Sequence, residues 1–157
     1  MRLDRRRGTG HAAPVTDQAS DIAGLPARRA ALDLLTAALS CRAGIEEAAA
    51  RPNFAGLEPR DRGFAHALTL ADLRHLGPID RALEARLAKP PPEAVRNILR
   101  LGATQAFALG APAYAAVSAS VDLAASMRET RPFKGLVNAV LRALTREPPD
   151  LADPEAF

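Results

Sequence analysis

Basic side chains recur in this chain at spacings that suit a grip on a phosphate backbone. Arg28 and Arg29 are adjacent, Arg60 and Arg62 bracket Asp61, and Lys134, Asn138, Arg142 and Arg146 recur every four residues. A four-residue repeat sets side chains along a slowly drifting stripe of a helix. Guanidinium forks match phosphate oxygens, and each phosphate neutralised releases counterions. The candidate phosphate-contacting residues on this reading are Arg28, Arg29, Arg60, Arg62, Lys134 and Arg142, with Asn138 beside the last two. The competing reading is a set of solvated arginines paired with nearby carboxylates, Asp61 among them, and an Asn138 that bonds its own helix backbone. Single-stranded RNA also needs surfaces on which bases stack. Aromatics make up 4% of the residues, with one tyrosine (Tyr114) and no tryptophan, so arginine planes are the expected platform.

Other chemistries find little support. The sequence has no phosphate loop, no Gly-rich dinucleotide turn and no His-Glu-x-x-His. His11, His66 and His75 lack the spacing of a metal set, and Cys41, the only cysteine, excludes an internal disulfide and a thiolate zinc cage. Cys41 is expected to be an inert small side chain. Glu58, Asp61 and Asp72 are read as supports for helix starts and arginine pairs. No catalytic residue, metal ligand or cofactor site emerges, so this chain alone is read as lacking enzymatic machinery.

The elements that must hold those cations are helical. A chain of 157 residues suits one domain, and 48% hydrophobic residues with 25% charged suit a globular one. With so few aromatics the core must rest on Leu, Ala, Val and Ile. The net charge of +3 and pI near 9.7 are compatible with nucleic acid without requiring it. The lone cysteine and the lack of a spanning apolar stretch point to the cytoplasm.

Residues 1–24 mix arginines with Gly, Pro, Thr and Ser and are expected to form a flexible basic arm. A helix begins near Leu25–Pro26 with Leu32, Leu35 and Leu39 on one face and Arg28 and Arg29 projecting away in its first turn. A short helix over 44–50 follows. The helix over 59–75 is apolar on most sides, with polar residues confined to a line through Arg62, His66 and Thr69, and is expected to be the hub. Further helices begin at Pro78, with Ile79, Leu83 and Leu87 inward, and at Glu93, with Val95, Ile98, Leu99, Gly102, Ala106 and Leu109 on one face. Ala113–Arg128 is expected to present Tyr114, Val117, Val121 and Ala124 on one face. The last helix, with Pro132 near its first turn, carries Phe133, Val137, Val140, Leu141 and Leu144 on one side. Residues 147–157, acidic and proline-rich, read as a linker. The expectation is an all-α, compact bundle of about seven helices over 25–146.

Ala27 to Leu32, Arg60 to Ala65 running to Leu73 and Arg74, Ile98 to Gln105, Pro112 with Ala115 to Val117 and Val121, and Gly135 to Arg142 stand in that order along the chain. The ordered set resembles the NusB-like family of all-helical RNA-binding domains. One branch is a stand-alone transcription antitermination factor that binds single-stranded RNA together with a ribosomal protein. The other is the N-terminal domain of an RsmB-type (Sun or Fmu) ribosomal RNA cytosine-C5 methyltransferase, which Arg60 to Arg62, Leu73–Arg74, Leu136 to Arg142 and the trailing linker resemble more closely. That branch implies ribosomal RNA as partner, an absent C-terminal methyltransferase domain, and S-adenosylmethionine as methyl donor in the parent enzyme. A ribosomal protein or a second copy of the chain are further partners to consider; a membrane is not. Cys41 matches no nucleophile motif of that family. The same resemblance implies Arg28 and Arg29 as the leading RNA contacts, because the family's RNA surface involves the first helix, followed by Arg60, Arg62, Lys134 and Arg142.

Overall fold

Proline sets most of the helix starts in the computed structural model, which describes residues 24–40 and 44–152. Helix α1 covers residues 24–40. It is followed by α2 (Ile45–Ala49), α3 (Pro52–Ala55), α4 (Pro59–Arg74) and α5 (Leu76–Glu84). Then come α6 (Glu93–Phe107), α7 (Ala113–Ala125), a 3-10 turn (Arg131–Phe133) and α8 (Lys134–Arg146). Pro52 and Pro59 occupy first helical positions, while Pro92 and Pro112 precede α6 and α7. A first-turn residue has no intrahelical use for its N–H, so proline costs nothing there and pre-sets φ. Gly110 ends α6 at φ +74°, which lets the Ala111 N–H reach the Gln105 carbonyl at 2.9 Å. Among the described residues the fold is all-helical, and none of its helices is long and apolar enough to cross a membrane. The expected arm, apart from Gly24, lies outside the described residues, as do Cys41 and residues 153–157.

The hub is α6, not the helix over 59–75. Its Val95, Ile98, Leu99, Leu101 and Ala103 are buried, and it packs against α4, α5, α7 and α8. Helix α4 lies to one side: Ala65 and Leu68 are buried, but Leu70 is 44% exposed. An apolar circumference misleads here because exposed Ala and Leu cost little on a surface. Thr69, expected on the polar line, is instead buried, its hydroxyl donating to Ala65 O at 2.9 Å with Ala31 O at 3.4 Å. The sequence expectation also missed α3, whose Phe54 helps cover a small second core of Leu34, Ala37 and Ala48. Beyond α8, Glu147 pairs with Arg86 and Leu151 rests against the main core.

A polar network threads the interior between α1, α4, α5 and α6. Arg100 grips Asp80 with two parallel bonds, Nε to Oδ1 at 2.8 Å and Nη2 to Oδ2 at 2.9 Å. Its Nη1 donates to Asn97 Oδ1 at 2.7 Å, and the Asn97 amide donates to Thr36 at 3.2 Å. Burial opposes the Arg100 charge, but Asp80, Glu93 and Asp72 outweigh it and raise its pKa above the ordinary value. Asp72 is fully buried beside this network and accepts the Thr104 hydroxyl at 2.6 Å. Its Oδ2 has no hydrogen-bond partner among the described residues. Burial pushes the Asp72 carboxyl from 3.8 up to about 6, against the pull of Thr104 and Arg100.

A Cβ at Gly102 would stand 2.5 Å from Ser120 Oγ and 2.7 Å from Leu141 Cδ1. Gly102→Ala should therefore destabilise by about 1–2 kcal/mol, overpacking outweighing the gain in helix propensity, and lower the urea midpoint. For Asp72, the unfolded carboxyl loses its proton near 3.8 and the folded one near 6. Stability from this group is full below the first value and is lost as pH rises through the second, by on the order of 3 kcal/mol. Asp72→Asn, neutral throughout, should gain on the wild type between pH 4 and 6 in paired urea titrations; parallel pH profiles for the two would contradict this.

Candidate nucleic-acid interface

Helix α7 forms an exposed ridge with a cavity on each side. Tyr114, Ser118 and Asp122 are spaced by four, so they share one face, and all three line both cavities. The first cavity, about 380 Å³, is completed by Gly24, Leu25 and Arg28 of α1. The second, about 600 Å³, is completed by Asn138, Arg142 and Thr145 of α8, with Val117 and Val121 at its base. The early part of α7 and the later part of α8 wall it together, the pairing of an antiparallel helix hairpin.

Tyr114 is 79% exposed at the head of this ridge. The sequence expectation set it on one face with Val117, Val121 and Ala124, of which Val117 and Ala124 are buried. In an alanine-rich helix the weak contrast between faces leaves the rotation to packing, and here Ala116, Val117, Ser120, Leu123 and Ala124 take the buried side. The tyrosine was the missed functional candidate. Its being the only one in the chain was the available signal.

The predicted cations separate into distinct environments. Arg28 is half-buried rather than projecting into solvent: Nε donates to Gln105 Oε1 at 2.8 Å and Nη1 to the Gly24 carbonyl at 3.1 Å. Its guanidinium carbon lies 5.2 Å from the centroid of the Phe64 ring, a cation–π distance. Gln105 is itself fixed through its amide to the Leu101 carbonyl at 3.2 Å, so the α6 hub holds the arginine in place. Arg29 is exposed beside it on α1. Arg60 is exposed one helical turn before Phe64, on the same face of α4. Arg62 donates to the Leu57 carbonyl and braces the loop before α4. Arg142 is exposed at the second cavity. Lys134 begins α8 and lies roughly 12 Å along the helix from Arg142, away from that cavity's lining. Asp61 pairs with neither neighbouring arginine, and the Asn138 side chain bonds no backbone carbonyl, among the described residues. Arg28, Tyr114 and Arg142 thus line the two cavities, and Arg29, Arg60, Arg62 and Lys134 are not among the lining residues. Among the described residues no group of His, Cys, Asp and Glu is placed to hold a metal.

The NusB family model matches residues 25–146, most of the chain and every helix that walls the two cavities. This chain belongs to the NusB family. It is also 36% identical, over 130 residues, to the ribosomal RNA small subunit methyltransferase B of Xanthomonas campestris pv. campestris. The aligned part is 80% of this chain and 29% of that relative, so the chain spans under a third of the curated protein it matches. No solved structure gives a significant match.

The two arginines at the head of α4 should respond differently to truncation. Arg62→Ala removes the bond to Leu57 and should cost about 1 kcal/mol in thermal unfolding, whereas Arg60→Ala should fall within about 0.5 kcal/mol of the wild type.

Proposed function

We propose that this NusB-family chain is an RNA-binding domain that positions ribosomal RNA for S-adenosylmethionine-dependent cytosine-C5 methyl transfer. The observation that carries the reading is the α7 ridge: an exposed aromatic ring between two cavities, with a guanidinium at each. Single-stranded RNA is bound by that pairing of stacking surface and phosphate contact. The matched relative, whose name gives ribosomal RNA of the small subunit as its substrate, supplies the choice of RNA.

The residues fall into roles by their placement. Arg28, fixed by Gln105, Gly24 and Phe64, offers a preorganised guanidinium at the first cavity. Arg142 offers an exposed one at the second, and Arg29 and Arg60 add exposed charge on α1 and α4. Tyr114 supplies the plane for a base. In this reading S-adenosylmethionine and the methyl transfer belong to the catalytic domain of the parent enzyme, and the described residues are assigned the RNA.

The test is salt-dependent binding of a short single-stranded ribosomal RNA segment. Affinity should fall linearly on a log–log plot, and Arg28→Ala with Arg29→Ala should make the slope shallower by roughly 1.4, two single-strand phosphate contacts. Tyr114→Ala should weaken binding by about 1–3 kcal/mol with the salt slope unchanged. A slope indifferent to the arginine pair would remove α1 from the RNA surface.

A further inference from the structure

A carboxylate is out of place on a phosphate-gripping surface. Asp122 lines both cavities, is exposed, and its carboxylate has no ion-pair or hydrogen-bond partner among the described residues. Left unpaired, it repels every phosphate equally. Toward nucleobases it is selective, because it accepts hydrogen bonds and donates none. Asn138, across the second cavity on α8, is half-buried and likewise unpartnered among the described residues. Val117 and Val121 between them give the cavity an apolar base, and its volume of about 600 Å³ is ample for a nucleotide.

We propose that the α7–α8 cavity receives one unpaired guanine, its Watson–Crick edge read by Asp122 and Asn138; this rests on the RNA-binding reading above. Guanine presents two adjacent donors, N1–H and the N2 amino group, beside one acceptor, O6. The two oxygens of Asp122 accept from the donors, and the Asn138 amide donates to O6. No other base satisfies that set. Adenine and cytosine each have one exocyclic amino donor beside an acceptor ring nitrogen, and uracil holds its single donor between two carbonyls. A buried or half-buried polar group left unpaired by the wrong base penalises that base. Arg142 and Thr145 stand toward the Tyr114 end of the cavity, where the phosphate joining the guanine to a neighbour stacked on Tyr114 would lie.

The experiment is fluorescence anisotropy of the full chain with short labelled oligouridylates carrying one central guanosine, inosine, adenosine or cytidine. The guanosine oligomer should bind about tenfold tighter than the adenosine and cytidine ones, with inosine, which lacks the N2 amino group, in between. Asp122→Asn should strengthen binding of the oligomers without guanosine, because a repulsive charge is gone, and erase the guanosine preference. Its thermal midpoint should match the wild type, the side chain being exposed. Asn138→Ala should also diminish the preference. If oligomers bind with salt sensitivity but show no guanosine preference, or if Asp122→Asn shifts all of them equally, the guanine site is overturned and the RNA surface stands. If no oligomer binds, both are overturned.

Discussion

The outward face of this protein is set by an inward contact, the seating of α7 and α8 on Gly102 of α6. With no Cβ at that position, Ser120 Oγ and Leu141 Cδ1 occupy the space that one would fill. Close approach fixes rotation as well as distance. Ser120 turned toward α6 puts Ser118 and Asp122, two residues to either side and therefore some 200° away, on the opposite surface. Tyr114 follows them at the same four-residue spacing. Leu141 turned inward likewise leaves Asn138, Arg142 and Thr145 along the flank that faces α7. The cavities thus derive their lining from a packing contact that contains none of their residues.

The polar interior does a related job at the other side of the hub. Arg100, Asp80, Asn97 and Thr36 link α6 to α5 and α1, and Thr104 links it to Asp72 of α4. Two parallel Arg–carboxylate bonds demand a particular separation and angle, so they specify the packing register more tightly than apolar contact does. Asp72 is the weak member, since one of its oxygens is buried without a partner and its charge is held there at a cost. Gln105 carries this order outward: anchored on the Leu101 carbonyl, it holds Arg28 against Phe64 at the edge of the first cavity. Core and surface are joined there by a single side chain.

Similar arginines serve different ends. Arg62 closes a loop, Arg100 organises the interior, Arg28 is braced at a cavity, and Arg29, Arg60 and Arg142 stand in solvent. A guanidinium has five donors on a long stem, so it satisfies whichever carbonyls or carboxylates the fold brings within reach. Residue type therefore indicates what chemistry is available, and position in space decides whether it is spent internally or offered to a ligand.

Sequence by itself determined the helical class and most of the helix boundaries, because proline at a first turn and glycine beyond a last one act through local backbone geometry. It also determined the inward faces of α5 and α8, where Ile79 and Leu83, and Val137, Val140, Leu141 and Leu144, contrast sharply with their polar neighbours. Tertiary structure decided the rest. That α6 and not α4 is central depended on Gly102 and on the polar partners Asp80 and Asp72, which come from other helices. That Tyr114 faces outward depended on α7 having little apolar contrast of its own, so its rotation was chosen by its neighbours. The fate of Arg28 and Arg62 depended on acceptors elsewhere in the fold, Gln105 far along the chain and the Leu57 carbonyl across a loop. Local signals specify what a segment becomes; which of its faces meets solvent is a property of everything packed around it.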